Sequence, residues 1–332
     1  MGLLIDGVWR ETDPAPSSPD GKFVRAETTF RNWITPDGRP GPTGHDGFAA
    51  ARGRYHLYVS LACPWAHRTL IMRALKGLQD IISISVTHWL MGAQGWTFAA
   101  GEGVIPDPLF GSAFLHEIYV RSDPAYSGRA SVPVLWDRHT QSIVSNESSE
   151  IIRMFNSAFD GIGAQPGDFY PPALRGEIDS VNARVYETVN NGVYRAGFAR
   201  TQEAYEEAVG ALFETLDWLE ARLAQSRFLC GDHLTEADIR LFTTLIRFDS
   251  VYLGHFKCNI RPLVQYPALW AYTRDIYQWP GIAETVNFTH IKRHYYQSHR
   301  QLNPLGIVPL GPALDLDQRA ERGKDIARLL TF

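Results

Sequence analysis

The sequence predicts an α/β first half followed by an all-helical second half. Three observations predict it. The segment "RYHLYVSLA" (54–62) alternates, with Leu57, Val59 and Leu61 on one face; it runs into a helical stretch at Pro64 and then into the apolar "IISISV" (81–86). Two further strand candidates, "VPVLWD" (132–137) and "QSIVS" (141–145), are separated by a turn of hairpin length, Asp137 to Thr140. Beyond "GAQPGDFYPP" (163–172) the apolar positions keep helical spacing and no further strand is needed.

A chain of 332 residues suggests two domains at roughly 100–200 residues each. Residues 1–53 are rich in Pro and Gly and read as an irregular arm with little regular structure. The first domain runs over 54–165. Its opening strand, the helix from Pro64 to Lys76 and the strand at 81–86 form a right-handed βαβ unit. Proline suits a first helical turn, and Gly77 suits a stop. An insertion of about 89–128 follows, then the two short strands. A helix starts in "NESSEIIRMFN", with Asn146 as N-cap and Glu147 and Glu150 in the first turn, where the helix dipole favours acid. The second domain spans 170–332. In "YEEAVGALFETLDWLEARL" one stripe carries Tyr205, Val209, Leu212, Leu216, Leu219 and Leu223. "TEADIRLFTTLIRF" is apolar nearly all round, which predicts a central buried helix; Thr235 and Asp238 have capping-box spacing.

The net charge of −4 gives no field to hold a phosphate backbone, so nucleic acid is excluded as a partner. No apolar stretch approaches the ~20 residues of a membrane span, and "MGLLIDGVWR" is too short for a signal-peptide core. Asp6 stands where a myristoylation site wants Ser or Thr. The expectation is a cytoplasmic protein. Three cysteines, an odd count in such a chain, argue against a disulfide framework.

Cys63 lies at the strand-to-helix junction in "SLACPWAHRT". The first N–H groups of a helix lack partners within it, and the macrodipole adds partial positive charge. A thiolate there is stabilised, so Cys63 is read as a low-pKa nucleophile and not as a buried spacer. Ala66 occupies the position where a Cys-x-x-Cys motif needs its second sulfur, so an outside thiol must resolve any mixed disulfide. Cys230 and Cys258 read as core residues. His67 shares a helical face with Cys63, but no oxyanion hole or orienting Asn or Asp is marked, so it reads as a packing or solvent residue. His290 and His294 have i, i+4 spacing without the Glu of a zinc-protease helix, and no metal is expected. The Val132–Pro133 bond is either cis or the start of an edge strand. A cis bond would turn the Val132 backbone outward toward a peptide ligand.

The segments "SLACPWAHRTLI", "LMGAQGW", "SVPVLWD", "IVSNESSEIIRMFN", "NNGVYRAGFA", "HFKCNI" and "HYYQSHRQLNP" together resemble a glutathione transferase, and specifically the Xi class, the glutathionyl-hydroquinone reductases. They span about 57–304. The resemblance implies a thioredoxin-like domain followed by a helical one, a homodimer, and glutathione as co-substrate. It implies that Cys63 attacks the sulfur of a glutathionyl-hydroquinone, that a Cys63–glutathione mixed disulfide forms, and that a second glutathione releases it. It also implies that Trp96, Arg129, Val132, Glu147 and Ser148 bind glutathione. A helix N-terminus offering N–H groups to a carboxylate agrees with the last two. Tyr194 is implied as proton donor to the leaving ring, Tyr252 as a support for the thiolate, and Tyr295 as a substrate-pocket residue.

Two other functions compete. A broader glutathione-dependent thiol transferase or dehydroascorbate reductase would also use Cys63, but would not need Tyr194, Tyr252 and Tyr295. A transferase-like scaffold binding a protein partner would need no reactive thiol.

Overall fold

The computed structural model describes residues 2–11 and 17–322. Residues 12–16 of the expected arm and 323–332 of the expected helical domain lie outside them. The described chain divides into two compact units, one formed by 2–11, 26–166 and 285–308, the other by 17–25, 167–284 and 309–322. No described helix is long and apolar enough to cross a membrane.

The first unit opens with strands β1 (Gly2–Ile5) and β2 (Val8–Glu11). They pair antiparallel about Asp6 and Gly7, both at positive φ (48° and 73°). Asp-Gly is the preferred pair for such a turn, so a hairpin stands where the sequence suggested irregular chain. Strands β3 (Trp33–Thr35) and β4 (Gly47–Ala49) pair in parallel. Their inward residues Ile34 and Phe48 are buried. The loop joining β3 to β4 folds over Trp33: a Cβ on Gly41 would lie 2.1 Å from the indole Cγ. Among the described residues of the arm these two strand pairs form, anchored by the buried apolar residues Leu4, Ile34 and Phe48.

The central sheet has the order β6-β5-β7-β8, made of β5 (Tyr55–Val59), β6 (Ser83–Val86), β7 (Val134–Asp137) and β8 (Ser142–Ser145). β6 runs parallel to β5; β7 is antiparallel to both β5 and β8. Every residue of β5 is buried, so both its faces are covered, not the single face that alternation implied; Leu61, beyond its end, is half-buried. β8 is not left as a bare edge. Asn32 N–H donates to Val144 O (3.0 Å) and Asn146 N–H to Phe30 O (3.1 Å), so arm residues cover it.

Helix α1 (Pro64–Leu75) joins β5 to β6, with Pro64 in its first turn. Gly77 follows its end at φ +61°, a conformation glycine adopts without steric cost. Helix α2 (Leu115–Ser122) lies inside the expected insertion, where Leu115, Ile118 and Tyr119 are buried. Helix α3 (Ser148–Ser157) follows β8 and packs on α1. The β5-α1-β6-α2-β7-β8-α3 order is the thioredoxin-like arrangement.

The second unit contains no strand among its described residues. Its helices are α4 (Arg175–Val185), α5 (Gly192–Gly197), α6 (Gln202–Leu223), α7 (Glu236–Arg247), α8 (Leu253–His255) and α9 (Pro267–Tyr277). Helix α7 is buried all round except at Arg240, as its sequence predicts. Asp238 is the pivot at its start. The carboxylate accepts from Thr235 N–H (2.8 Å), Leu229 N–H (2.8 Å) and the Tyr272 hydroxyl (2.9 Å), tying the preceding loop and α9 to α7. On α6, Val209, Leu212, Leu216, Leu219 and Leu223 are buried and Tyr205 is half-buried. Two π-helical turns interrupt the bundle, Tyr186–Asn190 ahead of α5 and Phe248–Tyr252 ahead of α8. Helix α10 (Phe288–Ser298) groups with the first unit, whereas the sequence places it in the domain spanning 170–332.

His56 lies fully buried on β5, with Nδ1 2.7 Å from Ser83 Oγ and Nε2 2.8 Å from Ser85 Oγ. The Ser85 hydroxyl donates to Pro106 O (3.0 Å), so it accepts from Nε2–H, and Nδ1 accepts from Ser83. Burial pushes the imidazole down to about 4, helped by the charge on Arg138. The folded chain thus binds fewer protons than the unfolded one between pH 6.5 and about 4, and stability falls as the pH drops through that window. His56 accounts for about 3 kcal/mol of this loss. Urea unfolding of His56→Gln over that range is expected to show a shallower fall than wild type; parallel curves would refute it.

Candidate active site

The end of β5 fixes where Cys63 stands. The strand is buried to Val59, the chain turns at Ser60–Ala62, and Cys63 is the extended N-cap of α1 (φ −77°, ψ 123°). Its carbonyl accepts from His67 N–H at 3.0 Å, closing the first helical turn. No acidic residue occupies that turn, so nothing on α1 itself opposes a negative charge at its start. Cys63 is half-buried, and its Sγ lies 3.7 Å from the carbonyl oxygen of Val132. The Val132–Pro133 bond is cis, and Val132 leads into β7 in the sheet interior, not into an edge strand. His67 is fully buried with Nε2 2.8 Å from Thr285 Oγ1, so it is a packing residue.

The start of α3 forms a second polar centre. The N-cap is Glu147, not Asn146. Asn146 is occupied elsewhere: its Oδ1 accepts from Phe30 N–H (3.2 Å) and its Nδ2 donates to the Tyr119 hydroxyl (3.1 Å). Glu147 Oε1 accepts from Ser149 N–H (2.9 Å) and the Ser149 hydroxyl (2.8 Å), and Oε2 accepts from Thr28 (3.1 Å). Burial acts to raise this carboxyl, but the Ser149 and Thr28 bonds and the Arg68 charge outweigh it, and its pKa lies below the usual range. Ser148 is buried, its hydroxyl 3.3 Å from the Arg68 guanidinium. Arg68, also buried, lies on α1 and stacks on Trp65 at 4.5 Å. Glu150 is paired with Arg31 of the arm.

Trp96 is buried and its indole stacks on His294 of α10, with centroids 4.7 Å apart and planes at 22°. His294 Nδ1 is 2.8 Å from Trp89 O, and His290 Nε2 is 2.6 Å from Glu102 O. The paired histidines therefore tether the insertion to α10. No group of three or more candidate metal ligands exists among the described residues. Tyr295 is buried beside His294 and His299. Arg129 is half-buried, and its carbonyl accepts from the Tyr126 hydroxyl (3.3 Å).

The first unit thus holds Cys63, Trp96, Arg129, Val132, Glu147, Ser148 and Tyr295. Tyr194 and Tyr252 lie in the second, their rings 6.1 Å apart. Tyr252 ends a π-helical turn and is fully buried; Tyr194, on α5, is half-buried. Such turns recur at functional sites. Reading the sequence missed Arg68, Thr28 and the stacking role of His294. Arg68 was within the quoted cysteine segment, one helical turn on from Pro64, but a charged residue on α1 reads as solvated until its burial is known.

Cys230 and Cys258 are both buried, as expected for core residues. Burial pushes the Cys230 thiol up to about 12 and also raises that of Cys258. Under native conditions at neutral pH, iodoacetamide is expected to label one cysteine per chain, identified as Cys63 by peptide mapping, and three after denaturation. Labelling of Cys230 or Cys258 at a comparable native rate would contradict this arrangement.

Residues 62–158 match the family described as glutathione S-transferase, N-terminal domain, and residues 202–275 match its C-terminal domain. The chain is 58% identical to glutathionyl-hydroquinone reductase YqjG of Escherichia coli (strain K12), over 98% of this chain and 99% of that one. It is 54% identical to glutathionyl-hydroquinone reductase PcpF of Sphingobium chlorophenolicum, over 95% and 98%. The glutathione-bound structure of YqjG is similar at a TM-score of 0.90 with 57% identity, covering 97% of this chain and 99% of that one. The glutathione transferase Xi of Phanerochaete chrysosporium gives 0.85 with 51% identity, covering 90% and 95%. With both transferase domains matched and near-full-length identity above one half, the chain belongs to the glutathione transferase family, in its Xi class of glutathionyl-hydroquinone reductases.

Proposed function

We propose that this chain reduces glutathionyl-hydroquinones to hydroquinones at the expense of glutathione, with Cys63 as nucleophile. The observation that carries the mechanism is the Cys63 junction: a half-buried thiol at the start of a helix with no acid in its first turn, and Ala66 where a resolving cysteine would stand. Glutathione is the co-substrate, in keeping with the reductase names of the relatives and the glutathione-bound structure of one of them.

The Cys63 thiolate attacks the thioether sulfur. The carbon–sulfur bond breaks and its electron pair passes to the ring carbon, which takes a proton to give the hydroquinone. Cys63 and glutathione are left joined by a disulfide. The thiolate of a second glutathione attacks the glutathione sulfur of that disulfide, releasing oxidised glutathione and restoring Cys63. The first glutathione and Cys63 are oxidised as the ring carbon is reduced, and the proton on the ring comes from Tyr194. A phenol can donate to a developing carbanion without being ionised beforehand. The phenolate regains a proton from solvent.

In this reading Val132 pairs its backbone with the glutathione peptide, and the start of α3 at Glu147 and Ser148 holds its γ-glutamyl end. Trp96 packs on the ligand, Arg129 contacts it, Tyr252 supports the Cys63 thiolate, and Tyr295 lines the aromatic pocket. We further propose that the chain works as a homodimer in the cytoplasm.

The test is intact mass after mixing the protein with a glutathionyl-hydroquinone in the absence of free glutathione. One glutathione added at Cys63, with one equivalent of hydroquinone released, is expected. Cys63→Ser is expected to form no adduct and to lose more than ~1000-fold in turnover, since no other group replaces the nucleophile. Turnover retained by Cys63→Ser would reject the mechanism.

A further inference from the structure

We propose that Arg25 is a positioning residue for the reductase, holding the Tyr194 ring in the orientation from which its hydroxyl donates. This rests on the reading of Tyr194 as proton donor. Residues 17–25 leave the arm's main body and belong with the helical unit. They form a tight strap: Ser18 N–H donates to Lys22 O (2.9 Å) and Gly21 N–H to Ser18 O (2.9 Å). The strap is fixed to the α5–α6 connection and to α6. Arg200 N–H donates to Gly21 O (3.0 Å), the Thr201 hydroxyl to Asp20 O (3.3 Å), and Lys22 pairs with Glu207 at 2.7 Å. Phe23 packs on Phe198 with ring centroids 5.5 Å apart.

The strap thereby delivers Arg25 to the start of α5. Its Nε donates to Asn191 Oδ1 at 2.7 Å, and its guanidinium lies 4.8 Å from the centre of the Tyr194 ring. Asn191 is the N-cap of α5, and its carbonyl accepts from Tyr194 N–H at 3.0 Å. One residue therefore anchors both the cation and the backbone turn that carries the phenol. The ring also contacts Phe256 (5.5 Å), Phe198 (6.3 Å) and Tyr252 (6.1 Å). Phe256 comes close because Gly197 has no side chain; a Cβ there would lie 2.2 Å from its Cγ. The guanidinium attracts the ring face and is itself tied at a defined point, so it sets the tilt of the ring and the direction of the hydroxyl. Proton transfer to carbon demands that alignment, and a misplacement of about 1 Å costs up to ~100-fold in rate.

Steady-state kcat and KM toward the glutathione thioether of a 1,4-hydroquinone test this for wild type, Arg25→Met, Arg25→Lys, Tyr194→Phe and the Arg25→Met/Tyr194→Phe double variant. Arg25→Met is expected to lower kcat about tenfold with KM changed less than about twofold, the signature of an interaction used in the transition state. Arg25→Lys keeps the cation and is expected to recover part of the loss. In the Tyr194→Phe background, which keeps the ring and lacks the hydroxyl, Arg25→Met is expected to cost nothing further. An equal loss in that background would overturn the proposal, since Arg25 would then be supporting the fold. An unimpaired Arg25→Met beside a crippled Tyr194→Phe would overturn it while leaving the donor role intact. A fully active Tyr194→Phe would overturn the donor reading, and this proposal with it.

Discussion

The burial of β5 on both faces is the constraint from which the site follows. A strand covered above and below can end only where the chain leaves the sheet, and here it leaves at Ser60–Ala62. Leu61 is half-buried in that turn, and Cys63, also half-buried, follows it at the helix start. Proline at 64 commits the chain to a helix immediately, because its fixed φ suits the first turn and its missing N–H is not needed there. The sulfur therefore sits at a helix start by necessity. The antiparallel pairing of β7 with β5 carries Val132 to the same end of the sheet, within 3.7 Å of that sulfur. The Cys63 thiol and the Val132 backbone are placed together by strand order alone.

The start of α3 depends on a different kind of constraint. The start of α3 gathers carboxylates at Glu147 and Glu150, and burying them unpaired would be costly. The arm supplies the compensation: Thr28 donates to Glu147, and Arg31 and Thr43 both reach Glu150. Arg68 of α1 supplies a further positive charge toward Glu147 and a donor to Ser148. The polar network is closed by residues that are far apart in sequence. Its ionised carboxylate at Glu147 is stabilised by hydrogen bonds given to the charged form, which is why burial does not neutralise it.

What could be read from the sequence was whatever local pattern and a single residue's conformation determine. The strands of the sheet, the helix opened by Pro64, its stop at Gly77 and the capping carboxylate of Asp238 all follow from period, proline and glycine, and short-range hydrogen bonding. The β1–β2 hairpin was equally local, signalled by Asp6 and Gly7, and was overlooked because the surrounding arm is rich in breakers. What could not be read was set by long-range packing. Asn146 is a better cap than Glu147 by preference, but its side chain is already engaged with Phe30 and Tyr119, so the helix starts one residue later. His290 and His294 have metal-like spacing, yet one ring nitrogen of each meets a backbone carbonyl, His290 Nε2 that of Glu102 and His294 Nδ1 that of Trp89. Helix α10 follows a run of helices in sequence but packs with the sheet unit, through contacts such as Trp96 on His294.

The N-terminal arm does in both units what no local segment does. In the first, residues 28–43 close the charges at the start of α3 and cover the edge of β8. In the second, residues 17–25 strap the start of α5. Both targets are helix starts, where backbone N–H groups lack partners within the helix and the positions of nearby side chains are least restrained by the helix itself. Those are also the places to which the proposed function assigns its chemistry: the start of α3, with Glu147 and Ser148, and the Tyr194 phenol on α5. An ordered helix body fixes its middle residues through packing on every side, but its first turn needs an outside partner to be equally rigid. A segment of low apolar content can supply that rigidity through charge and hydrogen bonds, while its few apolar residues, Leu4, Ile34 and Phe48, anchor it in the core.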